Sequence, residues 1–247
     1  MDAPSNQEVV LVTGAASGIG RGIAELLMRS GSRVVGVDVQ ACSNVESVEL
    51  DITDEDGVSA AIGEIEDRHG AITGLVNAAG ILGKVHPPER LRLSDWEREL
   101  RVDLSGTFIM ARAVGTRMAR RGSGSIVNIA SIAGMSSAPT LAYAAAKAGV
   151  ISLTQSLAAS WGRQGVRVNA VSPGFTRTAA LEAGIAAGVL SANSMEEPAA
   201  LGRLLEVAEI AEAVAWLLSA KSSGVTGINL PVDAGYLCRV SWAGYQS

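Results

Sequence analysis

The sequence predicts one doubly wound α/β domain over residues 1–247, with helices on both faces of a parallel sheet. Three observations point there. Short β-branched runs alternate with helix-length stretches along the whole chain, the order that winds helices over both faces of a sheet. The first run opens into a glycine-rich turn that leads directly into a helix. No linker or low-complexity tract interrupts the alternation. With 48% apolar and 18% charged residues, the chain can bury a sizeable core and is neither disordered nor coiled-coil-like. A net charge of −5 gives no reason to expect nucleic acid or an anionic membrane as partner. Cys42 and Cys238 stand alone, and the two histidines have no clustered partners, which argues against a metal site. The polar, acidic amino terminus carries no signal peptide, and the apolar segments are broken by charges or glycines. The expectation is a soluble, cytoplasmic protein without a membrane span.

The elements follow in order. Glu8 to Thr13 is a β-branched run with the pattern of a buried parallel strand. It runs into Gly14-Ala-Ala-Ser17-Gly18-Ile19-Gly20 and then a helix ending at Gly31. In that context glycines admit a pyrophosphate to the backbone, and the helix N-terminus offers it free N–H groups. The second strand, Arg33 to Asp38, ends in an acid 18 positions beyond Gly20. A carboxylate there accepts hydrogen bonds from a ribose and repels a 2′-phosphate, so NAD is expected over NADP. Val45 to Leu50 is a third strand leading to Asp51 and Ile52, too close to Asp38 for an ordinary crossover helix. Thr53-Asp-Glu-Asp opens a helix that runs to His69-Gly70. Strand four, from Ile72, places Asn77 and Gly80 at its carboxyl end, the edge where open α/β sheets bind ligands. Residues 81–93 form a loop, and Ser94 begins a long helix reaching Arg121. Strand five carries Ser131 out, the helix containing Tyr143 runs to about Gly162, and strand six spans Val166 to Ser172. Pro173-Gly174 ends it. Residues 179–200 are alanine-rich and helix-like, and are expected to form a substrate lid. A helix from Val207 to Leu218 and a strand from Gly227 to Asp233 complete the pattern.

The chemistry concentrates at Ser131, Tyr143 and Lys147. Tyr143 and Lys147 are four positions apart, so on a helix they share one face among alanines. An ammonium within reach of a phenol favours the phenolate, as a general acid/base requires. Ser131, delivered by a strand, would add a second hydrogen bond to a substrate oxygen. Such a pair also occurs on many helices by chance, and the surrounding motifs decide between the two readings.

Taken together these residues resemble a short-chain dehydrogenase/reductase, over nearly the whole chain. The matching motifs begin with Thr13-Gly-Ala-Ala-Ser-Gly-Ile-Gly20 for the pyrophosphate, Asp38 for the ribose and Asp51-Ile52 beside the adenine. They continue with Asn77-Ala-Ala-Gly80 and the Ser131, Tyr143, Lys147 trio. Pro173-Gly174 through Thr176 and Thr178 resembles the segment that holds the nicotinamide amide, and Val232-Asp-Ala-Gly235 the family's Asp-Gly-Gly. The resemblance implies a Rossmann-type fold with a seven-stranded parallel sheet, NAD as cofactor and commonly a homotetramer. It implies an NAD-dependent oxidoreductase that interconverts a secondary alcohol and its ketone. In that reading Tyr143 is the base, Lys147 holds the ribose hydroxyls and Ser131 orients the substrate.

Three departures stand out. Asp103 occupies a helical position where the family usually has an Asn that holds a relay water. The Ser131–Tyr143 interval is one residue shorter than in most members, and the third-strand crossover is abbreviated. Members acting on cyclic dihydrodiols share that abbreviation and the run Leu75 to Leu82. The lid lacks any Lys or Arg, so a small, mostly apolar and uncharged substrate is expected, cyclic alcohols, diols and hydroxysteroids among the candidates. Two other readings are an NADPH-dependent biosynthetic ketoreductase and a non-catalytic NAD-sensing protein on the same fold. The long helices at 94–121 and 140–162 are expected to pack across a dimer axis, with Trp242 and Tyr245 covering a second interface or a neighbour's site.

Overall fold

The structure, a computed structural model, describes residues 8–239; Trp242 and Tyr245 lie outside the described residues. The first strand, β1 (Val9–Thr13), is buried along its whole length, as β-branched side chains on a strand covered from both sides require. The chain turns through Gly14 into α1 (Gly18–Arg29) and returns as β2 (Arg33–Asp38), parallel to β1. β3 (Glu46–Glu49) pairs parallel to β2 with only residues 39–45 between them and no helix. The side chains of Cys42 and Val45 do a helix's work there. They lie over Gly36 of β2, 2.9 and 2.8 Å from where a Cβ would stand, and so cover that face of the strand.

α2 (Glu55–His69) starts at Asp54, whose carboxylate accepts from Gly57 N, and leads to β4 (Ile72–Asn77). The single long helix expected from Ser94 to Arg121 is three pieces: α3 (Leu93–Leu100), a π-helical segment (Arg101–Gly106) and α4 (Thr107–Arg121). β5 (Gly124–Ile129), α5 (Leu141–Trp161) and β6 (Val166–Pro173) follow. Then come β7 (Thr176–Arg177), α6 (Ala179–Ala186), α7 (Ala192–Glu196) and β8 (Leu205–Glu206). α8 (Val207–Leu218), β9 (Asn229–Val232) and α9 (Tyr236–Arg239) close the described chain.

The main sheet has seven parallel strands in the order β3-β2-β1-β4-β5-β6-β9, while β7 and β8 pair separately. This is the Rossmann-type, doubly wound architecture that the sequence predicts. Strand alternation sends Leu11 and Val37 to one face, where Val58, Met110 and Leu157 from α2, α4 and α5 cover them. Val10 and Val12 go to the other face, under Ile23 of α1 and Ile210 of α8. The strand order reverses between β1 and β4, so a crevice opens beyond their carboxyl ends, where Thr13 and Asn77 are register partners.

Candidate active site

The turn from β1 to α1 is fixed by contact with β4. Gly14 has φ +70°, and a Cβ there would lie 2.8 Å from the backbone of Ala79, so only glycine closes this turn. The buried Thr13 hydroxyl accepts from Ala78 N and Ala79 N, both at 3.0 Å, and ties the exit of β4 to β1. Gly20 packs on the Gly14 carbonyl in the same way, and Gly18 faces open space as far as Thr178, 3.8 Å from its Cβ position. Ser17 makes no side-chain cap on α1, and no acid sits in its first turn. The helix therefore presents unengaged N–H groups to the crevice, the arrangement that accepts a phosphate. Asn77 donates to Asn128 Oδ1 at 2.9 Å, while its own buried Oδ1 has no partner. An open glycine cradle, an uncapped helix end and an orphaned acceptor together fit a dinucleotide.

The other residues expected around the cofactor have mixed placements. Asp51 is exposed, and its Oδ1 accepts from Thr53 N at 2.8 Å. Ile52 is buried in the core against Gly106. Gly174 packs on Asp233, the Thr176 hydroxyl donates to Gly174 O at 3.0 Å, and the Thr178 hydroxyl caps α6 through Leu181 N.

Ser131, Tyr143 and Lys147 converge at the carboxyl end of β5. Ser131 caps a short turn (Ile132–Gly134), its Oγ accepting from Ala133 N at 3.1 Å. That turn sits directly on α5: a Cβ at Gly134 would lie 2.6 Å from the carbonyl carbon of Lys147. Lys147 is buried, with its Nζ donating to Ile129 O at 3.0 Å and standing 5.5 Å from the centre of the Tyr143 ring. Tyr143 is half-buried. A hydroxyl that accepts from its own turn keeps its hydrogen free for a substrate oxygen, so Ser131 is a donor here.

Asp103 lies in the π-helical segment, fully buried, with Oδ1 accepting from Ile81 N at 2.7 Å and Oδ2 without a partner. π segments inside α-helices recur at functional sites. Burial pushes the Asp103 carboxyl above its ordinary value. The Lys147 charge and the Ile81 N–H pull the other way without prevailing, and Glu99 adds to the rise. Lys147 and Asp103 both border Gly80, 3.4 and 3.1 Å from where a Cβ would lie. They form no ion pair; the Lys147 ammonium is held by Ile129 O.

Sequence reasoning missed the neighbouring cleft. A cavity of about 710 Å³ opens beside Ile81, lined by loop residues 81–92 and by Asp95, Arg98 and Glu99 of α3. The signal was present as Lys84, His86 and Arg90 in a loop that follows Gly80 directly.

This fold and this Ser-Tyr-Lys arrangement define an oxidoreductase of alcohols and ketones. A family profile described as enoyl-(acyl carrier protein) reductase matches residues 14–237. The chain belongs to the short-chain dehydrogenase/reductase family. It is 39% identical to a cis-4-hydroxycyclohexanecarboxylate dehydrogenase of Sinomonas cyclohexanicum, covering 93% of this chain and 96% of that one. A solved structure from Brucella melitensis described as a ribose-5-phosphate isomerase is 49% identical, covers 97% of this chain and 96% of its own, and superposes with a TM-score of 0.93. A gluconate 5-dehydrogenase from Burkholderia cenocepacia, solved with NADP and tartrate, is 33% identical with a TM-score of 0.87, covering 94% and 96% of the two chains.

The NADP in that structure, and in ElxO (28% identical, TM-score 0.90, 94% and 99% covered), overturns the expectation of NAD. The structure shows why Asp38 misled. Its Oδ2 accepts from Ala16 N and its Oδ1 from Gln40 N, each at 3.1 Å, so both oxygens are engaged in shaping the glycine turn and the bend after β2. An acid at the end of this strand has a structural use, and its presence does not by itself exclude a 2′-phosphate. Among the described residues no group of side chains could hold a metal, and no helix is long and apolar enough to cross a membrane.

Proposed function

We propose that the protein is an NADP(H)-dependent ketoreductase that interconverts a ketone and its secondary alcohol, with Tyr143 as general acid/base. The observation that carries the reading is the buried Lys147 ammonium, fixed by Ile129 O beside the Tyr143 ring and against the turn that presents Ser131. The dinucleotide, when bound, supplies or accepts the hydride. The Ser131 hydroxyl donates to the carbonyl oxygen and holds it in place. Tyr143 gives that oxygen a proton as it becomes the alcohol, and takes the proton back in the reverse direction. The Lys147 ammonium stands 5.5 Å from the centre of that ring. Gly14, Gly18 and the α1 N-terminus would cradle the pyrophosphate, and Thr178 closes the far side of that cradle.

Residues 179–200 act as a lid in this reading. Arg177 bridges Glu196 of α7 and Glu206 of β8, at 3.1 and 3.4 Å, and anchors the lid at its carboxyl-terminal end. The lid carries Ala, Leu, Ile and Val without a Lys or Arg, which suits an apolar ring. With the Sinomonas relative in view, 4-oxocyclohexanecarboxylate is the first substrate to try. Loss of reduced-nicotinamide absorbance with NADPH and that ketone is expected, and more slowly with NADH. A higher kcat/KM for NADH would overturn the cofactor assignment.

The Brucella description would instead assign an isomerisation, which has no net redox. The Ser-Tyr-Lys set beside a dinucleotide cradle supports hydride chemistry. Conversion of ribose 5-phosphate to its ketose without added nicotinamide would reverse that choice.

A further inference from the structure

The cleft next to the active site carries a charge opposite to that of the whole protein. The chain has a net charge of −5, yet Lys84, Arg90, Arg92 and Arg98 line this cleft with His86, against two carboxylates, Asp95 and Glu99. One of the two carboxylates is already engaged. Arg92 clamps Asp95 through two hydrogen bonds, at 2.8 and 2.9 Å. Glu99 is 6% exposed, and its Oε1 packs on Gly83 where any Cβ would collide with it. Among the described residues, the side chains of Lys84, Arg90 and Arg98 have no hydrogen-bond or ion-pair partner.

The cleft is not remote from the chemistry. It begins at Ile81, adjacent to Gly80, and Lys147 Nζ borders Gly80 from the catalytic side. A molecule with its carbonyl between Ser131 and Tyr143 would therefore have the cationic cleft close by. Unpaired cations in a partly enclosed cleft attract and orient an anion more strongly than they would on an open surface. We propose that this cleft takes the anionic end of the substrate, a carboxylate held by Lys84 and Arg98, while the lid covers its apolar body. The proposal rests on the alcohol/ketone reading above and refines its substrate class. It also revises the expectation of an uncharged substrate, which weighed the lid alone.

The test is binding of two unreactive probes, cyclohexanecarboxylate and its methyl ester, to protein saturated with NADPH, measured by titration calorimetry. The acid is expected to bind about tenfold more tightly than the ester at low salt, an advantage that shrinks as salt screens the cleft. Lys84→Gln with Arg98→Gln should erase the advantage and leave ester affinity unchanged, which also shows that the variant is folded. Equal affinity for acid and ester, an advantage that survives the double variant, or no binding of either probe would overturn the proposal. If the acid preference holds and no ketone is ever reduced, the anion site stands and the redox reading falls.

Discussion

At the residue scale, the site depends on how burial treats each polar group. The buried Lys147 ammonium donates to Ile129 O at 3.0 Å, and that anchor holds it near Tyr143. Tyr143→Phe keeps the ring and removes the proton carrier. Its kcat is expected to fall by about 10²–10⁴ with NADPH binding retained, as read from nicotinamide fluorescence and single-turnover assays. Asp103 is the opposite case, a buried carboxyl with one oxygen unsatisfied. Burial raises it above its ordinary value of 3.8, so the fold favours its protonated form. That contribution is complete below the unfolded-state value and is lost as pH rises through the folded-state value. Asp103→Asn has no charge to bury, so its Tm should exceed wild type at about pH 8, and the gain should disappear near about pH 3. A variant less stable than wild type at the higher pH would contradict this account. The amide also keeps a donor and an acceptor, so the alkaline limb of the pH–rate profile is expected to stay in place. A downward shift would instead reveal a charge pair between Asp103 and Lys147.

At the scale of elements, two short turns bring the strand ends to the site. The first is the Gly14 turn, where Gly14→Ala would put a Cβ 2.8 Å from the Ala79 backbone at φ +70°. The expected cost is about 1–3 kcal/mol from overpacking alone, with NADPH affinity falling further because the cradle must shift. The second is the bend after β9, where Asp233 accepts from Gly235 N at 2.9 Å and Leu237 N at 2.8 Å. Ala234, in that bend, is the one described non-glycine residue with positive φ, at 52°. It stands where the family motif has glycine. An L-residue is strained there by roughly 1–2 kcal/mol, which the greater unfolded-state freedom of glycine partly offsets. Ala234→Gly is therefore expected to raise the Tm by about 1–4 °C in a thermal melt. A fall in Tm would mean that the Ala234 methyl, 8% exposed in the core, contributes more by packing than it costs by strain.

At the scale of the whole molecule, α4 and α5 cover one face of the sheet and still turn apolar surface outward. Phe108 is 40% exposed on α4, and Ala145, Ala148 and Ala159 are exposed along α5. A flat face of small side chains lets a second helix pair approach closely. The expected outcome is a dimer through α4 and α5, assembled further into a homotetramer as the family resemblance implies. Light scattering at micromolar concentration checks this, and a monomer there would refute it. Phe108→Glu should weaken the dimer if the face is used.

The sequence by itself determined the doubly wound sheet, because continuous β-branched runs and helix-length stretches alternate without interruption. It also singled out Gly14 to Gly20, Asn77, Ser131, Tyr143 and Lys147 as candidates, because turn chemistry, strand ends and one-turn helical spacing are local properties. The tertiary structure decided what depends on residues far apart in the chain. The π-helical segment forms where Ile52 closes on Gly106 and Leu104 on Gly149, contacts that no local pattern records. Asp38 looked like a cofactor selector until its two oxygens were seen bound to Ala16 N and Gln40 N. The cationic cleft exists because the loop after Gly80 folds against α3, bringing Lys84 and His86 beside Arg98. Charge and hydrogen-bond capacity are written in the sequence, but which groups consume them is set by packing.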